Sequence, residues 1–345
     1  MAGSVRWLLS RGLVDPADVV GGDLRVRDVS RRNLNLVVER SRRPSHFLKS
    51  PATAGDAPAI AREAAILASF EGTSAEDVVP RGRLVDQTLV AEGIRSACDL
   101  KTFHASRARF PIEVARLTGE ALGRLHAAAD PDLAARDDAH WALAIHRPTV
   151  QALGRLTPGS LDLARAIQSD PALGDALDVL RRGWRATALV HGDVKWDNIL
   201  VAGEGGALRI LVVDWEQSRG GDPMWDLGSA LASYLSAWLY SIDTTSGAAP
   251  ADLHHHARRP LSDVSAAGRA LSAGYLERGG LQWTHGVAVR AIRFAGARLL
   301  VTAQEATQAG APLTPHIVLH VQLAANLLAN PTDFDEMLGL DCPPG

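Results

Sequence analysis

The sequence predicts an α+β protein in which a small antiparallel sheet with one helix precedes a larger, mainly helical part. Short apolar strands bounded by polar loops recur before residue 94. Helical periodicity dominates afterwards and is clearest from Pro111 to Ala129, where apolar residues recur every three or four positions. At 345 residues and 46% hydrophobic composition, the chain suits one large domain or two smaller ones with a sizeable core.

The overall charge and the cysteine content argue against several classes of protein. The formal net charge of -3 gives no electrostatic basis for binding nucleic acid or an anionic membrane. The two cysteines, Cys98 and Cys342, match no metal-binding spacing, which favours a reducing compartment. The N-terminal apolar run is too short for a signal peptide, and the longest apolar stretch, residues 227–239, is shorter than a membrane span. We therefore expect a cytoplasmic protein.

The first ninety-odd residues are predicted to hold a short helical segment, five strands and one further helix. Asp15 is the predicted N-cap of the early helical segment, with Pro16 at the first helical position. In the later helix, Ile60, Ala64 and Leu67 share one face. The predicted strands are residues 24–29, 34–39, 46–49, 81–85 and 87–91.

The remainder of the chain is predicted to be mainly helical. Residues 99–110 are predicted as a polar connector, and residues 130–170 carry little structural signal. The predicted helices are residues 111–129, 171–182, 227–240, 261–278, 284–306 and 315–330.

The stretch from His191 to Asp214 carries the strongest chemical signal in the chain. Asp193 lies on a tight loop, Asn198 follows it, and two apolar strands joined by a glycine-rich turn lead to Asp214. A hairpin of this kind is expected to bring Asn198 and Asp214 to the same end. An amide oxygen beside a carboxylate forms an oxygen-only site of the kind that Mg²⁺ prefers. The pattern is typical of kinase-type phosphoryl transfer, in which the first Asp accepts the proton of the attacking hydroxyl.

The His-Gly-Asp segment at 191–193 and the Asp-Trp-Glu segment at 214–216 resemble the aminoglycoside phosphotransferase and choline kinase-like family. The resemblance implies a two-lobe protein-kinase-like fold, with a nucleotide-binding lobe over residues 1–94 and a catalytic and acceptor-binding lobe over residues 95–345. It also implies ATP and Mg²⁺ as cofactors. Asp193 is then the catalytic base, and Asn198 and Asp214 are the metal ligands.

The same resemblance implies a lysine that binds the nucleotide phosphates. Lys49 closes an apolar strand, as the phosphate-binding lysine of the family does. Glu63, on the following helix, would pair with it. The alternative for Glu63 is an ordinary solvated charge on a helix.

Two further nucleotide contacts follow from the resemblance. The loop from Ser30 to Asn33 resembles the family's turn over the ATP phosphates, although it contains no glycine, and either of its two arginines would contact phosphate. The alternative is an exposed basic hairpin tip. Backbone groups near Glu92 and Ile94 lie where the family binds adenine, at the passage between the lobes.

Three residues are expected to support the site rather than to react. His126, in a Leu-Gly-x-Leu-His segment, resembles a structural histidine of the family, and Asp226 resembles the aspartate that braces the catalytic loop. His191 is expected to shape that loop through hydrogen bonds. Glu216 would assist at the metal or near the acceptor.

Lys195 and the charge of the C-terminal half bear on the acceptor. Lys195 follows Asp193 at the spacing of the Ser/Thr protein kinases, where a lysine stabilises the transferring group. The alternative is a surface lysine. Between residues 230 and 330 there are five acids and seven arginines, which argues against a polycationic acceptor.

Three functions remain open from the sequence. The first is ATP-dependent phosphorylation of a Ser or Thr hydroxyl in a peptide, for example a bacterial ribosomal precursor peptide modified before elimination by a partner lyase. The second is a small-molecule alcohol kinase, including one that inactivates antibiotics. The third is a non-catalytic binding module on a kinase scaffold, against which the complete set Lys49, Asp193, Asn198 and Asp214 argues.

Overall fold

The computed structural model describes residues 2–30, 33–41, 43–128, 138–203, 207–308 and 312–335. Arg31, Arg32, residues 204–206 of the glycine-rich turn and Cys342 lie outside the described residues. The chain divides into two compact units, one formed by Met1–Cys98 with Leu200–Glu216 and the other by Asp99–Ile199 with Gln217–Gly345. The assignment of nucleotide and acceptor binding to residues 1–94 and 95–345 stays a prediction, because compactness does not test what each part binds.

The secondary structure has the predicted order along the chain, with a strand-rich part followed by a helix-rich part. The strands are β1 (Leu24–Asp28), β2 (Leu34–Arg40), β3 (Ser45–Ser50), β4 (Gly82–Val85), β5 (Thr88–Gly93), β6 (Cys98–Asp99), β7 (Ala188–Val190), β8 (Ile199–Ala202), β9 (Arg209–Val212) and β10 (Arg219–Gly221). The helices are α1 (Ala2–Ser10), α2 (Pro16–Val20), α3 (Ala57–Ser69), α4 (Leu100–Ala105), α5 (Ile112–Ala128), α6 (Val150–Leu153), α7 (Pro158–Gln168), α8 (Pro171–Arg182), α9 (Pro223–Leu239), α10 (Leu261–Arg278), α11 (His285–Thr307) and α12 (Pro315–Ala329).

The first unit is built on the antiparallel sheet that the sequence predicts. Its strand order is β1-β2-β3-β5-β4, and the predicted strands β8 and β9 are neighbours in a separate sheet. Lys49 lies in β3 opposite Asn35 of β2 and Leu89 of β5. Helix α3 packs on β3, β4 and β5 and buries the predicted face of Ile60 and Ala64. The sheet therefore fixes Lys49 on a central strand.

The second unit is held together by close packing of long helices. Helix α5 packs along α10, and α11 packs against both α9 and α12. Gly119 and Gly274 allow the first contact, because a Cβ at Gly119 would collide with the backbone carbonyl of Leu271. Within the described residues, no helix combines the length and the apolarity needed to cross a membrane.

Two connecting segments contain helices that the sequence did not indicate. The expected polar connector contains helix α4, because Asp99 caps it by accepting a hydrogen bond of 2.7 Å from the Thr102 backbone N–H, and Leu100 is fully buried. In the segment with little structural signal, the Thr157 hydroxyl caps α7 ahead of Pro158. Both cases show that a cap can start a helix where the apolar periodicity is too short to reveal one.

Candidate active site

The catalytic loop between β7 and β8 is fixed through its backbone. Gly192 has φ +82°, and a Cβ there would lie 2.6 Å from the carbonyl oxygen of Gln217, so the loop requires glycine at this position. The buried carboxylate of Asp226 accepts hydrogen bonds from the backbone N–H groups of His191 (2.6 Å) and Gly192 (3.0 Å). The Trp225 indole donates to the Gly192 carbonyl at 3.0 Å. The bracing role predicted for Asp226 is confirmed.

Two histidines support this loop, as the sequence predicts. The Nε2 atom of His126 lies 3.1 Å from Asp226 Oδ2, and its Nδ1 atom lies 2.9 Å from the Tyr275 hydroxyl. The Asp193 backbone N–H donates to His191 Nδ1 at 3.2 Å. Each ring therefore contacts protein groups through nitrogen, as expected of a supporting histidine.

The carboxylate of Asp193 is flanked by two cations and an amide. Its Oδ2 atom lies 2.7 Å from Lys195 Nζ, and its Oδ1 atom lies 3.5 Å from an Nη of Arg298. The Asn198 side-chain nitrogen donates to the backbone carbonyl of Asp193 at 2.9 Å and to Oδ2 at 3.2 Å. Lys195 therefore contacts Asp193 directly, and the Asp193 side chain is 23% exposed. A catalytic role for either residue stays a prediction.

Arg298 is the main residue of the site that the sequence analysis did not identify. It lies on α11, its side chain is 4% exposed, and it pairs with Glu305 at 3.3 Å. Glu305 also lies 3.9 Å from Lys195. The signal that could have found Arg298 is an arginine inside the apolar run from Phe294 to Val301, because charged residues are rarely buried without a partner.

The first unit contains a second charged cluster, centred on Lys49. Its ammonium lies 2.6 Å from Asp214, 2.9 Å from Glu63 and 3.2 Å from Glu216. The ion pair that the sequence predicts between Lys49 and Glu63 is present, and both side chains are buried. Three carboxylates around one ammonium leave two negative charges, which is the charge that one divalent cation would neutralise.

The titration behaviour of this cluster follows from its burial. Burial disfavours the charged form of Lys49, but the charges of Glu63 and Asp214 outweigh it and raise the pKa of the ammonium. Burial also raises the pKa of Glu63, against the lowering effect of Lys49. The other carboxylate oxygen of Glu63 accepts a hydrogen bond of 3.1 Å from the backbone N–H of Trp215. Helix α3 therefore anchors the Asp-Trp-Glu segment through one glutamate.

Asp214 has an unusual backbone conformation at the centre of this segment. Its φ is +68°, in the left-handed region that residues other than glycine seldom adopt. Such conformations cluster at functional sites, where the surrounding structure enforces them. The side chain of Asp214 is 41% exposed, so its carboxylate is accessible to a ligand beside Lys49.

The loop predicted to cover the nucleotide phosphates is held by local hydrogen bonds. The Ser30 hydroxyl accepts from the Asn35 backbone N–H at 2.9 Å, and the Ser30 N–H donates to Asp28 at 2.9 Å. Asn33 is buried, and its side-chain oxygen has no hydrogen-bond partner among the described residues. Nucleotide contact by Ser30 or Asn33 stays a prediction.

The predicted adenine-binding position lies at the end of β5. Glu92 is exposed and its backbone N–H donates to the Arg81 carbonyl at 2.7 Å, whereas Ile94 directly follows the strand. Contact of either residue with adenine stays a prediction as well.

A cavity of about 780 Å³ opens beside the catalytic loop, and its lining residues all belong to the second unit. Lys195 and Arg298, the two cations that contact Asp193, both line it. Small-molecule sites in proteins commonly have volumes of about 300–1,000 Å³. The cavity is therefore large enough for a metabolite or for a short segment of a peptide.

The fold and the two charged clusters define a protein-kinase-like phosphotransferase, with a small antiparallel sheet in one part and a mainly helical second part. The sequence profile of the phosphotransferase enzyme family (APH) matches residues 25–266, well over half of the chain. The chain belongs to this family and is an enzyme that transfers phosphate to a hydroxyl group. A sequence comparison with curated proteins finds no match.

Several solved structures share the fold at low sequence identity. An ethanolamine kinase of Plasmodium vivax superimposes with a TM-score of 0.54 at 13% identity, covering 95% of this chain and 86% of the kinase. Choline kinase LicA of Streptococcus pneumoniae gives 0.51 at 16% identity, covering 93% and 99%. The ADP-bound aminoglycoside phosphotransferase APH(2'')-Ib gives 0.51 at 12% identity, covering 91% and 99%. At these identities the likeness extends to the fold alone.

Proposed function

We propose that the protein transfers the γ-phosphate of ATP to a hydroxyl of an acceptor that binds in the cavity beside Asp193. The observation that carries this proposal is the contact of Asp193 with Lys195 and Arg298, both of which line that cavity. In the transfer, the acceptor oxygen forms a bond to phosphorus, the bond to the bridging oxygen breaks, and ADP leaves. Asp193 takes the proton of the hydroxyl, and the cations stabilise charge on the transferring group.

We further propose that Asn198 and Asp214 hold Mg²⁺. The Asn198 nitrogen is engaged by Asp193, which leaves the amide oxygen as the ligating atom. The two excess negative charges around Lys49 suit a divalent cation, which would neutralise the nucleotide phosphates when bound. The remaining nucleotide-binding residues in the proposal are Lys49, Glu63, Ser30, Asn33, Glu92 and Ile94.

Replacing Asp214 with asparagine is expected to weaken nucleotide binding only when magnesium is present. Asparagine tolerates the left-handed backbone that alanine would strain, so the variant removes the charge without disturbing the turn. We expect the gain in ADP affinity that Mg²⁺ provides to fall by about tenfold or more. Calorimetric titration of ADP with and without Mg²⁺ measures this gain, and an unchanged gain would contradict the metal role.

Two acceptor classes fit the proposed activity. A Ser or Thr hydroxyl of a peptide is favoured by Lys195, which lies beside the proposed base as in Ser/Thr protein kinases; a precursor peptide processed further by a partner lyase is one setting. A small-molecule alcohol is favoured by the size of the cavity and by the choline and ethanolamine kinases that share the fold. Mass spectrometry distinguishes the two classes by detecting an added phosphate on candidate acceptors of each. A reaction that contains the protein but no ATP is the blank.

Replacing Lys195 with histidine is expected to lower turnover far more than nucleotide affinity. The ammonium contacts the proposed base and lines the cavity, so its charge acts where phosphate is transferred. Loss of one such group costs about a hundredfold in kcat. Arg165→Gln is the matched control, because Arg165 forms an exposed ion pair with Asp162 away from the cavity. Equal turnover of the two variants would return Lys195 to a structural role.

A further inference from the structure

The cavity beside Asp193 is strongly basic. Among the described residues that line it, two are acidic, Asp197 and Glu305. The cationic side chains in the lining are Lys101, Arg107, Lys195, Arg258, Arg259 and Arg298. The chain as a whole carries a net charge of -3, so this excess of positive charge is a local feature of the cavity.

The acids of the cavity lie within ion-pair distance of three of its six cations. Glu305 lies within ion-pair distance of Arg298 and Lys195, and Asp197 lies 3.7 Å from Lys101. The three remaining arginines have no carboxylate within ion-pair distance among the described residues. These three are Arg107, Arg258 and Arg259, and we call them the arginine wall.

The arginine wall is partly held in place by the end of helix α4. Arg107 stacks on Phe103, with its guanidinium carbon 3.5 Å from the ring centroid. Arg259 donates to the carbonyls of His104 (2.9 Å) and Arg107 (2.9 Å) and lies over the ring of Phe110. Carbonyl acceptors position a guanidinium but do not cancel its charge, so the wall keeps its positive field.

The charge at the wall also depends on the neighbouring His104 and on Arg258, the third arginine of the wall. Burial, followed by the charges of Arg259 and Arg107, lowers the pKa of His104 to about 4, so this ring adds no charge at neutral pH. Arg258 is exposed and forms no side-chain hydrogen bond among the described residues. It therefore contributes charge to the cavity without a role in capping α4.

We propose that the acceptor is an alcohol that also carries an anionic group, a carboxylate or a phosphate, which binds the arginine wall while its hydroxyl lies beside Asp193. This inference rests on the proposed function. An anion is recognised by guanidinium donors, whereas an ammonium-bearing acceptor would be repelled by the cavity. The group transferred and the proton acceptor are unchanged, because the anion binds the acceptor and takes no part in bond exchange.

Binding of two matched sets of compounds tests this inference. Glucose, glucosamine, glucuronate and glucose 6-phosphate share a pyranose ring and differ mainly in charge. Serine peptides flanked by glutamates or by lysines form a second set, which separates a peptide source of the anion from a small-molecule source. Dissociation constants are measured with Mg-ADP at saturation, so that the nucleotide site does not bind the phosphate of a probe.

We expect the anionic members of at least one set to bind at least about tenfold more tightly than the neutral or cationic members. Added salt should reduce this preference, because the wall is open to solvent. The variant Arg258→Gln should reduce anion affinity by about tenfold or more, since Arg258 belongs to the wall and does not cap α4. Arg165→Gln should leave it unchanged.

The outcomes separate this inference from the proposed function. Equal binding of anionic and neutral probes, tighter binding of glucosamine, no binding of any anionic probe, or unchanged anion binding in Arg258→Gln would each overturn it. Failure of the wild-type protein to bind Mg-ADP would instead contradict the proposed function, whatever the charge preference of the cavity.

Discussion

Replacing Asp193 with asparagine is expected to abolish phosphotransfer while nucleotide binding is retained. Asparagine has nearly the same shape and still accepts hydrogen bonds, but it cannot take the proton of the acceptor hydroxyl. Loss of a general base costs about 10²–10⁴ in kcat. Asn198 keeps its hydrogen bond to the backbone carbonyl of residue 193, so the dissociation constant of Mg-ADP should stay within about threefold of the wild type.

The measurement for Asp193→Asn is ADP formation in the presence of an acceptor, together with calorimetric titration of Mg-ADP. The thermal midpoint is the control for folding, because the substitution removes a carboxylate that contacts both Lys195 and Arg298. A variant that folds and retains activity would contradict the role of Asp193 as base. A variant that loses nucleotide affinity would show that this residue serves more than the acceptor side.

Replacing Lys49 with methionine is expected to destabilise the protein strongly. Lys49 and Glu63 form a buried ion pair, and the Glu63 side chain is 4% exposed. Removing one partner of such a pair leaves an uncompensated buried charge and costs about 3–5 kcal/mol of unfolding free energy. Denaturant unfolding measures the loss, and a loss below about 1 kcal/mol would show that water or a neighbouring group compensates Glu63.

The destabilisation of Lys49→Met is expected to depend on pH through Glu63. Burial raises the pKa of Glu63 above its usual value of 4.5, and the charge of Lys49 lowers it. Without Lys49, the pKa of Glu63 in the folded protein rises further. An acid with a raised pKa in the folded state destabilises that state when it is ionised. The loss in the variant should therefore be largest at neutral and higher pH and should shrink as pH falls through the raised pKa of Glu63.

The double variant Lys49→Met/Glu63→Gln is the matched control for Lys49→Met. It removes both charges of the buried pair. Most of the unfolding free energy lost in Lys49→Met should therefore be regained, and the pH dependence that comes from Glu63 should disappear. Nucleotide binding should not return, because the proposed phosphate ligand is absent. Recovery of Mg-ADP affinity together with stability would contradict the phosphate-binding role of Lys49.

Much of this site could be predicted because the sequence itself holds its parts close together. Asp193 and Asn198 share one loop. Asp226, whose carboxylate braces that loop, lies near the start of helix α9. The spacing of these three residues in their motifs identifies them in the sequence. Lys49 and Glu63 belong to consecutive elements in the order that the family shows, and that resemblance predicts the ion pair. Long amphipathic helices such as α5 and α11 also follow from periodicity alone.

The sequence by itself determined the strand-rich and helix-rich parts, the catalytic loop and the lysine–glutamate pair, because short-range spacing and periodicity encode them. Only the tertiary structure decided that Arg298 contacts Asp193 and that Arg107, Arg258 and Arg259 line one cavity. These residues lie on segments far apart in the chain, after α4, ahead of α10 and on α11, which meet at one cavity. No local pattern specifies such long-range proximity, since it depends on how helix faces fit in three dimensions.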